Sequence, residues 1–242
     1  IDPKTYNVSI KKLKEKLIEA KKNNNLPKII IPVHYAGQSC HMRELSFLSK
    51  EFNFKIIEDG SHSLGGKYLN KFIGSCEFSD ITVFSFHPVK IITTGEGGAA
   101  VTNSSTIDEK MKLYKSHGIK RKKETLIENT DTEIWNYAQE TLGFNYRIPD
   151  INCALGINQM TRLDEFISKR HLIAERYNFA FKDSMIQIPI QSKDTFSSFH
   201  LYPIRVSEKN YKKGRNFIFQ ELKNRNIGVN IHYIPVYRHP YF

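Results

Sequence analysis

The fold is decided by two stretches of sequence: residues 54–66, F-K-I-I-E-D-G-S-H-S-L-G-G, and residues 80–98, D-I-T-V-F-S-F-H-P-V-K-I-I-T-T-G-E-G-G. Each stretch starts with a short, mostly apolar run, which is typical of a strand buried on both faces of a parallel sheet. Each then passes into a loop of glycine and polar residues. Because ligands of open parallel sheets bind beyond the carboxyl ends of the strands, we expect a functional site at these two loops.

Helices are predicted between the strands. Ser9 is placed to cap a first helix that has apolar residues on one face and lysines on the other. A second amphipathic helix is predicted over 41–52, and an apolar strand over 28–34 lies between the two helices. Buried strands separated by amphipathic helices indicate right-handed β-α-β crossovers. The predicted fold class is therefore α/β with a mainly parallel sheet.

The second half of the chain predicts a longer series of elements. These are a short strand over 97–102, a helix over 106–117, a polar surface excursion over 120–142, helical periodicity over 148–183 in one helix or two, a strand over 199–206, a helix over 208–226 and a strand over 229–232. The last three form a β-α-β piece that is typical of a second unit. We therefore predict a large domain over 1–165 and a smaller C-terminal α/β domain over 166–242.

Composition narrows the classes of protein. The chain has 242 residues, of which 40% are hydrophobic, so it is able to bury a core and is not a disordered chain. No apolar run is long enough to span a membrane, and Ile1-Asp2-Pro3-Lys4 lacks the apolar stretch of a signal peptide. The three cysteines have no C-x-x-C spacing and the nine histidines include no H-E-x-x-H motif. We expect a cytoplasmic protein with no metal site and no membrane segment.

The net charge of +11 has three readings. Clustered lysines would neutralise the phosphates of a nucleic acid, or a few of them would attract a phosphate-bearing substrate. Runs of lysine more often form a solvated helix face. We favour the solvated faces and predict no nucleic-acid partner.

The chemistry is expected from Lys90, which stands between Val89 and Ile91. Apolar surroundings disfavour the ammonium form, so this lysine is suited to act as an amine nucleophile. A lysine paired with a strand-end carboxylate such as Asp59 is what pyridoxal phosphate chemistry requires, and Ser85 with glycine-rich backbone would hold the phosphate. The alternatives at this stage are a surface lysine and an aspartate that only caps a turn.

Three motifs carry a resemblance to a known family. They are E-D-G-S-H (residues 58–62), S-F-H-P-V-K followed by I-I-T-T-G-E-G-G (residues 85–98), and G-F-N-Y-R-I-P-D-I-N-C-A-L-G (residues 143–156). In this order they resemble the sugar-nucleotide aminotransferases of the DegT/DnrJ/StrS type, which are fold-type I enzymes dependent on pyridoxal 5'-phosphate. The resemblance extends through essentially the whole chain.

The resemblance implies a role for five residues. Lys90 would bind the cofactor covalently and later move the proton, and Asp59 would pair with the pyridinium nitrogen. His62 stands where the family usually has Gln, near the ring hydroxyl, and Ser85 would bind the cofactor phosphate. Asn145 would reach that phosphate from the partner subunit, which implies a homodimer with shared active sites; alternatively, it is a turn residue before a long helix.

Finer motifs resemble the members that aminate C-4 of a UDP-4-keto-6-deoxy-HexNAc sugar in pseudaminic acid biosynthesis, with L-glutamate as amino donor. They are P-V-H-Y-A-G (residues 32–37), K-S-H-G-I (residues 115–119) and H-Y-I-P-V (residues 232–236). The alternative within the family is the UDP-4-keto-arabinose aminotransferase of lipid A modification. His34, Tyr35 and His232 are the expected sugar contacts, and each of them is equally consistent with packing.

The ends of the chain depart from the family pattern. The resemblance implies a further amino-terminal part of the large domain before Ile1 and a small domain that continues past Phe242. An inactive truncated product therefore stays open as a further class of function. Another class, a regulator or nucleic-acid-binding protein on the same fold, stays open because of the charge of +11.

Overall fold

The computed structural model describes residues 1–120, 137–207 and 214–242. Two units are distinguished among them: Ile1–Arg176 with Pro189–Tyr202, and Tyr177–Ile188 with Pro203–Phe242. Most of the predicted surface excursion and the start of the helix predicted over 208–226 lie outside the described residues. The domain boundary near residue 165 stays a prediction.

The first two helices alternate with the first two strands, as predicted, and the next four strands then follow with no helix between them in the described residues. The helices are α1 (Ile10–Lys22), α2 (Met42–Phe52), α3 (Ser105–Tyr114), α4 (Asp150–Met160), α5 (Leu163–Phe181) and α6 (Gly214–Asn224). The strands are β1 (Ile29–Ile30), β2 (Lys55–Asp59), β3 (Lys67–Tyr68), β4 (Lys71–Phe72), β5 (Ile81–Ser85), β6 (Gly98–Val101), β7 (Ile119–Lys120), β8 (Ala138–Gln139), β9 (Ile186–Gln187), β10 (Thr195–Phe196) and β11 (Arg205–Val206). The helical periodicity over 148–183 thus forms two helices in succession, α4 and α5.

A four-stranded sheet in the order β1-β2-β5-β6 organises the first unit. β1 pairs with β2 and β2 with β5 in parallel, as predicted, but β6 runs antiparallel to β5, with Ser85 opposite Gly98. The connection between these two strands folds on itself through turns instead of forming a crossover helix: the Phe86 amide donates to the Gly97 carbonyl at 2.8 Å. A parallel pair needs a crossover, so the chain returns beside β5 in the opposite direction and the sheet is mixed.

Helices α1 and α2 cover one face of this sheet. The Ser9 hydroxyl accepts a hydrogen bond from the Lys12 amide and begins α1, and Asn53 ends α2 in the left-handed conformation. The apolar faces of the helices meet the buried side of β2 in one core cluster. Its buried members are Leu17, Cys40, Met42, Leu45, Leu48, Phe52, Phe54, Ile56 and Tyr68.

The opposite face of the sheet is apolar and exposed in the described residues. Side chains alternate along a strand, so the residues next to buried ones point to this other face. The exposed apolar side chains here include Ile29, Ile31, Val33 and Val83. The strands therefore have the composition of strands buried on both faces, while helices α1 and α2 cover one face.

Residues 189–202 return to the first unit after α5 and pack beside the turn that follows β1. The side-chain amide of Gln38 donates to the Ile190 carbonyl at 3.0 Å, and the backbone amide of Ser198 donates to the Gly37 carbonyl at 3.1 Å. A Cβ on Gly37 would lie 2.6 Å from the Ser198 hydroxyl oxygen, and its φ is +108°, so this close approach requires glycine. β10 in this segment extends the small antiparallel sheet β10-β3-β4, with Thr195 opposite Tyr68.

The second unit contains less regular structure than predicted. β9 and β11 pair antiparallel, and α6 follows. The strand predicted over 199–206 is formed only at Arg205–Val206, because Phe199 has a φ of +45° and the residues around it belong to the first unit. The strand predicted over 229–232 is wrong, since no strand in the described residues pairs with it. No helix in the described part of the chain is long and apolar enough to cross a membrane.

The core cluster gives a stability prediction. Leu45 is 0% exposed, whereas Phe47 on the outer face of the same helix is 61% exposed. We expect Leu45→Ala to lower the free energy of unfolding by about 2–5 kcal/mol, because it leaves a cavity between α2 and the sheet. Phe47→Ala is the control and is expected to change it by less than about 1 kcal/mol. Urea denaturation measures both, and equal losses would contradict the assignment of α2's buried face.

Candidate functional site

The carboxyl ends of β1, β2 and β5 meet at one edge of the sheet. The Asp59 amide donates to the Pro32 carbonyl at 2.9 Å, and the His34 amide donates to the Asp59 carbonyl at 3.1 Å. The Gly60 amide donates to the Val83 carbonyl at 2.8 Å and joins β2 to β5. The two loops that the sequence singles out therefore start side by side.

Asp59 and Ser85 lie on the same face of the sheet. Asp59 is in register with Val83, and Ser85 follows two residues later, so the three side chains share a face. Glu58 precedes Asp59 and is buried on the opposite face. One carboxylate oxygen of Asp59 accepts a hydrogen bond from the Ser61 amide at 3.0 Å, which orients the carboxylate at the strand end.

Lys90 lies in the turn after β5, where its amide donates to the His87 carbonyl at 2.9 Å. Ile91 and Ile92 follow it and are buried in a cluster with residues of α5, so packing against α5 fixes the position of the turn. Partial burial lowers the pKa of the Lys90 ammonium, and the charge of the Asp59 carboxylate opposes that shift. The structure thus brings Lys90 and Asp59 close enough for their charges to interact.

His62 follows β2 and is almost completely buried beside two other aromatic rings. Its Nδ1 accepts a hydrogen bond from the Ala36 amide at 3.3 Å. A ring nitrogen that accepts carries no proton, so we assign the neutral tautomer with the proton on Nε2. The ring centroids of His200 and Tyr35 lie 4.4 and 6.1 Å from that of His62. His62 therefore carries its ring proton on Nε2.

Of the predicted sugar contacts, Tyr35 lies at this edge, and His34 lies beneath it. Tyr35 is half-buried, and its amide donates to the Asn7 side chain at 2.9 Å. His34 is fully buried: its Nδ1 accepts from the Cys40 amide at 3.1 Å, and its Nε2 lies 2.6 Å from a carboxylate oxygen of Glu58. Contact of either residue with a sugar stays a prediction, and the observed bonds of His34 favour packing.

Asn145 and His232 belong to other parts of the chain: Asn145 precedes α4 in the first unit, and His232 is in the second unit. Asn145 is exposed and forms an antiparallel bridge with Ser116, before α4 begins. His232 belongs to the second unit, where it is half-buried and its ring lies 4.2 Å from that of Tyr233. Their predicted roles toward a partner subunit's cofactor and toward a sugar stay predictions.

Two residues of this region were not singled out from the sequence, Glu58 and His200. Glu58 is buried, and donors from His34, Ser79 and Thr82 surround it. Burial alone would raise the pKa of the Glu58 carboxyl, but these hydrogen bonds outweigh it and hold the pKa below its usual value. The role of Glu58 could have been predicted from the alternation of side chains along a strand, which puts Glu58 and Asp59 on opposite faces of the sheet. The one on the buried face then requires a buried hydrogen-bond partner.

Metal ligands are not grouped in this region. Among residues 1–120, 137–207 and 214–242, no set of three or more His, Cys, Asp or Glu side chains is arranged to hold a metal ion. Cys40 and Cys76 are buried and Cys153 is half-buried, and all three are free thiols. The predicted cofactor-binding side chains at this edge are the amine of Lys90, the carboxylate of Asp59, the hydroxyl of Ser85 and the imidazole of His62.

Comparisons of this chain with protein families, with curated proteins and with solved structures all find the same family. A model of the DegT/DnrJ/EryC1/StrS aminotransferase family matches residues 1–242. The UDP-4-amino-4,6-dideoxy-N-acetyl-beta-L-altrosamine transaminase of Campylobacter jejuni is 39% identical over 237 residues, 98% of this chain and 59% of that protein. Helicobacter pylori PseC, an aminotransferase involved in the biosynthesis of pseudoaminic acid, is 35% identical with a TM-score of 0.84, covering 97% of this chain and 58% of that chain.

A second solved structure agrees with the first. A DegT DnrJ EryC1 StrS aminotransferase from Brucella abortus is 25% identical with a TM-score of 0.84, and the match covers all of this chain and 60% of that one. The chain thus spans about three-fifths of the length of the relatives that it matches. These likenesses confirm the predicted fold type I, with helices packed on a mixed sheet.

The interaction between Lys90 and Asp59 gives a prediction on protonation. Because the Asp59 carboxylate favours the ammonium form of Lys90, we expect Asp59→Asn to lower the pKa of Lys90 further. The pKa is measured by NMR titration of the protein after reductive methylation with 13C-formaldehyde, with the Lys90 signal assigned from Lys90→Arg.

Asp108→Asn is the matched control, because Asp108 forms its ion pair with Lys112 on α3. It is expected to leave the Lys90 titration unchanged. An unchanged or raised pKa of Lys90 in Asp59→Asn would show that the two groups do not face one another.

Proposed function

Because the chain belongs to the DegT/DnrJ/EryC1/StrS aminotransferase family, we propose that it carries the lysine-bearing site of a pyridoxal 5'-phosphate-dependent sugar-nucleotide aminotransferase. The observation that carries this proposal is the grouping of Lys90 and Asp59 at the ends of neighbouring strands, with Ser85 on the same face as Asp59. Neither a surface lysine nor a turn-capping aspartate requires that grouping.

The residues at this edge fit the cofactor group by group. Pyridoxal phosphate presents an aldehyde, a pyridine nitrogen, a phosphate and a phenolic oxygen. The site offers an amine with a lowered pKa at Lys90, a carboxylate at Asp59, a hydroxyl at Ser85 and an Nε2 donor at His62. Each of these four functional groups of the cofactor thus has one side chain of matching chemistry in the first unit.

The bound cofactor would supply an electron sink for the amino carbon. Lys90 has a lowered pKa, so a larger fraction of its amine is unprotonated and able to attack a carbonyl carbon. The same nitrogen, once released, is suited to take and return the proton on that carbon. Asp59 would hold a proton at the pyridine nitrogen, and His62 would donate from Nε2 to the phenolic oxygen.

The proposed substrate is a UDP-4-keto-6-deoxy-HexNAc sugar of pseudaminic acid biosynthesis, aminated at C-4 with glutamate as donor. The 39% identity to the altrosamine transaminase of Campylobacter jejuni supports it. The alternative within the family is a UDP-4-keto-arabinose sugar. Tyr35 at the strand edge and His232 in the second unit are the proposed sugar contacts, and His34, for which the sequence predicted the same role, is fully buried.

We further propose a cytoplasmic homodimer in which Asn145 reaches the phosphate site of the partner subunit. Asn145 is exposed, and its neighbours in sequence, Phe144 and Tyr146, have exposed rings that stack on one another. Exposed aromatic side chains of this kind mark a protein interface. The three free thiols are consistent with a reducing compartment.

The experiment that tests the cofactor is borohydride reduction of the protein with pyridoxal phosphate, followed by peptide mass analysis. We expect a pyridoxyl group on Lys90, because burial lowers the pKa of its amine. Lys90→Arg is expected to lose that label, whereas Lys71→Arg on the exposed strand β4 retains it.

The absence of a label from the folded wild-type chain would contradict the cofactor proposal. Together with steep, salt-dependent DNA binding it would favour the regulator that the charge of +11 left open. Absence of folding altogether would favour the truncated product.

A further inference from the structure

His34 makes two side-chain hydrogen bonds that occupy both ring nitrogens. It is 0% exposed; its Nδ1 accepts from the Cys40 amide at 3.1 Å, and its Nε2 lies 2.6 Å from Oε2 of Glu58. Burial lowers the pKa of His34, but its interactions with Cys40 and Glu58 outweigh burial and raise the pKa to about 10. Because the Cys40 amide occupies Nδ1, we place a ring proton on Nε2, from which it is donated to Glu58. The ring is a linker between the loop after β1 and the carboxylate on β2.

Glu58 collects donors from three parts of the first unit. Its carboxylate is 5% exposed and accepts from His34 after β1, from the Ser79 hydroxyl and from the Thr82 hydroxyl on β5 at 3.1 Å. A buried carboxylate is stable only when such partners replace water. The loss of the His34 donor would leave this charge under-paired and favour movement of the strand end toward water.

Asp59 is coupled to this pair through the backbone. The Glu58 side chain points to the buried face and the Asp59 side chain to the site face, so the two are held by one stretch of strand. The His34 amide donates to the Asp59 carbonyl at 3.1 Å, and the Asp59 amide donates to the Pro32 carbonyl at 2.9 Å. His34 thus holds the Asp59 peptide directly and, through Glu58, the residue before it.

We propose that His34 is a positioning residue that fixes the Asp59 carboxylate at the sheet edge by donating from Nε2 to Glu58. The catalytic consequence rests on the proposed function of Asp59 toward the cofactor. The positioning itself is a property of the chain without cofactor. A sugar contact, the role expected for His34 from the sequence, makes different predictions in the same variants.

Three substitutions of His34 distinguish the contributions of its two ring nitrogens. His34→Gln keeps a donor near the position of Nε2, His34→Asn keeps an acceptor near Nδ1 but does not reach Glu58, and His34→Phe keeps neither. Amide hydrogen exchange at Asp59 is measured against that at Phe86, whose amide donates to the Gly97 carbonyl elsewhere in the sheet.

We expect His34→Phe and His34→Asn to speed exchange at Asp59 by roughly tenfold relative to Phe86, the size of one lost hydrogen bond to a charged group. His34→Gln is expected to remain within about threefold of the wild type. Leu45→Ala is the control for general loss of stability and is expected to speed both amides alike. If His34→Phe does not fold, the comparison of Asn with Gln carries the test.

The second measurement uses the cofactor and the sugar. We expect His34→Asn to weaken binding of pyridoxal phosphate about tenfold and to lower kcat with little change in KM for the UDP-sugar, and His34→Gln to restore both. A raised KM with unchanged cofactor binding would overturn the proposal and restore the sugar contact. Unchanged exchange at Asp59 in His34→Asn would overturn it as well. If the wild-type chain binds no cofactor, the proposed function fails, while the exchange experiment still decides the positioning.

Discussion

The buried carboxylate of Glu58 is the constraint on which the site depends. A carboxylate that is 5% exposed needs donors in place of water, and here they come from the turn after β1, from Ser79 and from β5. These are the segments whose ends carry the candidate site. This one desolvated carboxylate therefore couples the turn after β1, strand β2 and strand β5.

The two-residue period of a strand links the buried carboxylate of Glu58 to the site, because the next side chain, that of Asp59, lies on the opposite face of the sheet. Glu58 and Asp59 are consecutive acids, and alternation sends one into the dry face and the other toward the site. The buried carboxylate of Glu58 makes the strand end rigid. The carboxylate of Asp59 interacts with Lys90, and partial burial lowers the pKa of that lysine. The division of work agrees with the rule that precise sites need a supporting shell held by packing and hydrogen bonds.

Much of this could be predicted from the sequence because local patterns decide it. The apolar runs before Asp59 and Ser85 predicted neighbouring parallel strands, and the residues around Lys90 predicted a lowered pKa, as found. The reversal at β6, the His62–His200 ring contact and the bonds of His34 could not be predicted, because they depend on segments distant in sequence. The strand predicted over 229–232 does not form, since an extended segment becomes a strand only when a neighbouring backbone pairs with it.

The return of residues 189–202 to the first unit orders the events of synthesis. The paired residues of β10 and β3 are separated by more than half the length of the chain, and Gln38 bonds to Ile190, which is also distant in sequence. The ribosome delivers α1, α2 and the parallel strands long before these partners emerge, so the nascent unit holds its early core but leaves Gly37 and its neighbours uncovered during translation. Contacts of such long sequence separation also form late when the whole chain refolds. The turn beside the site is therefore the last part of the first unit to be completed.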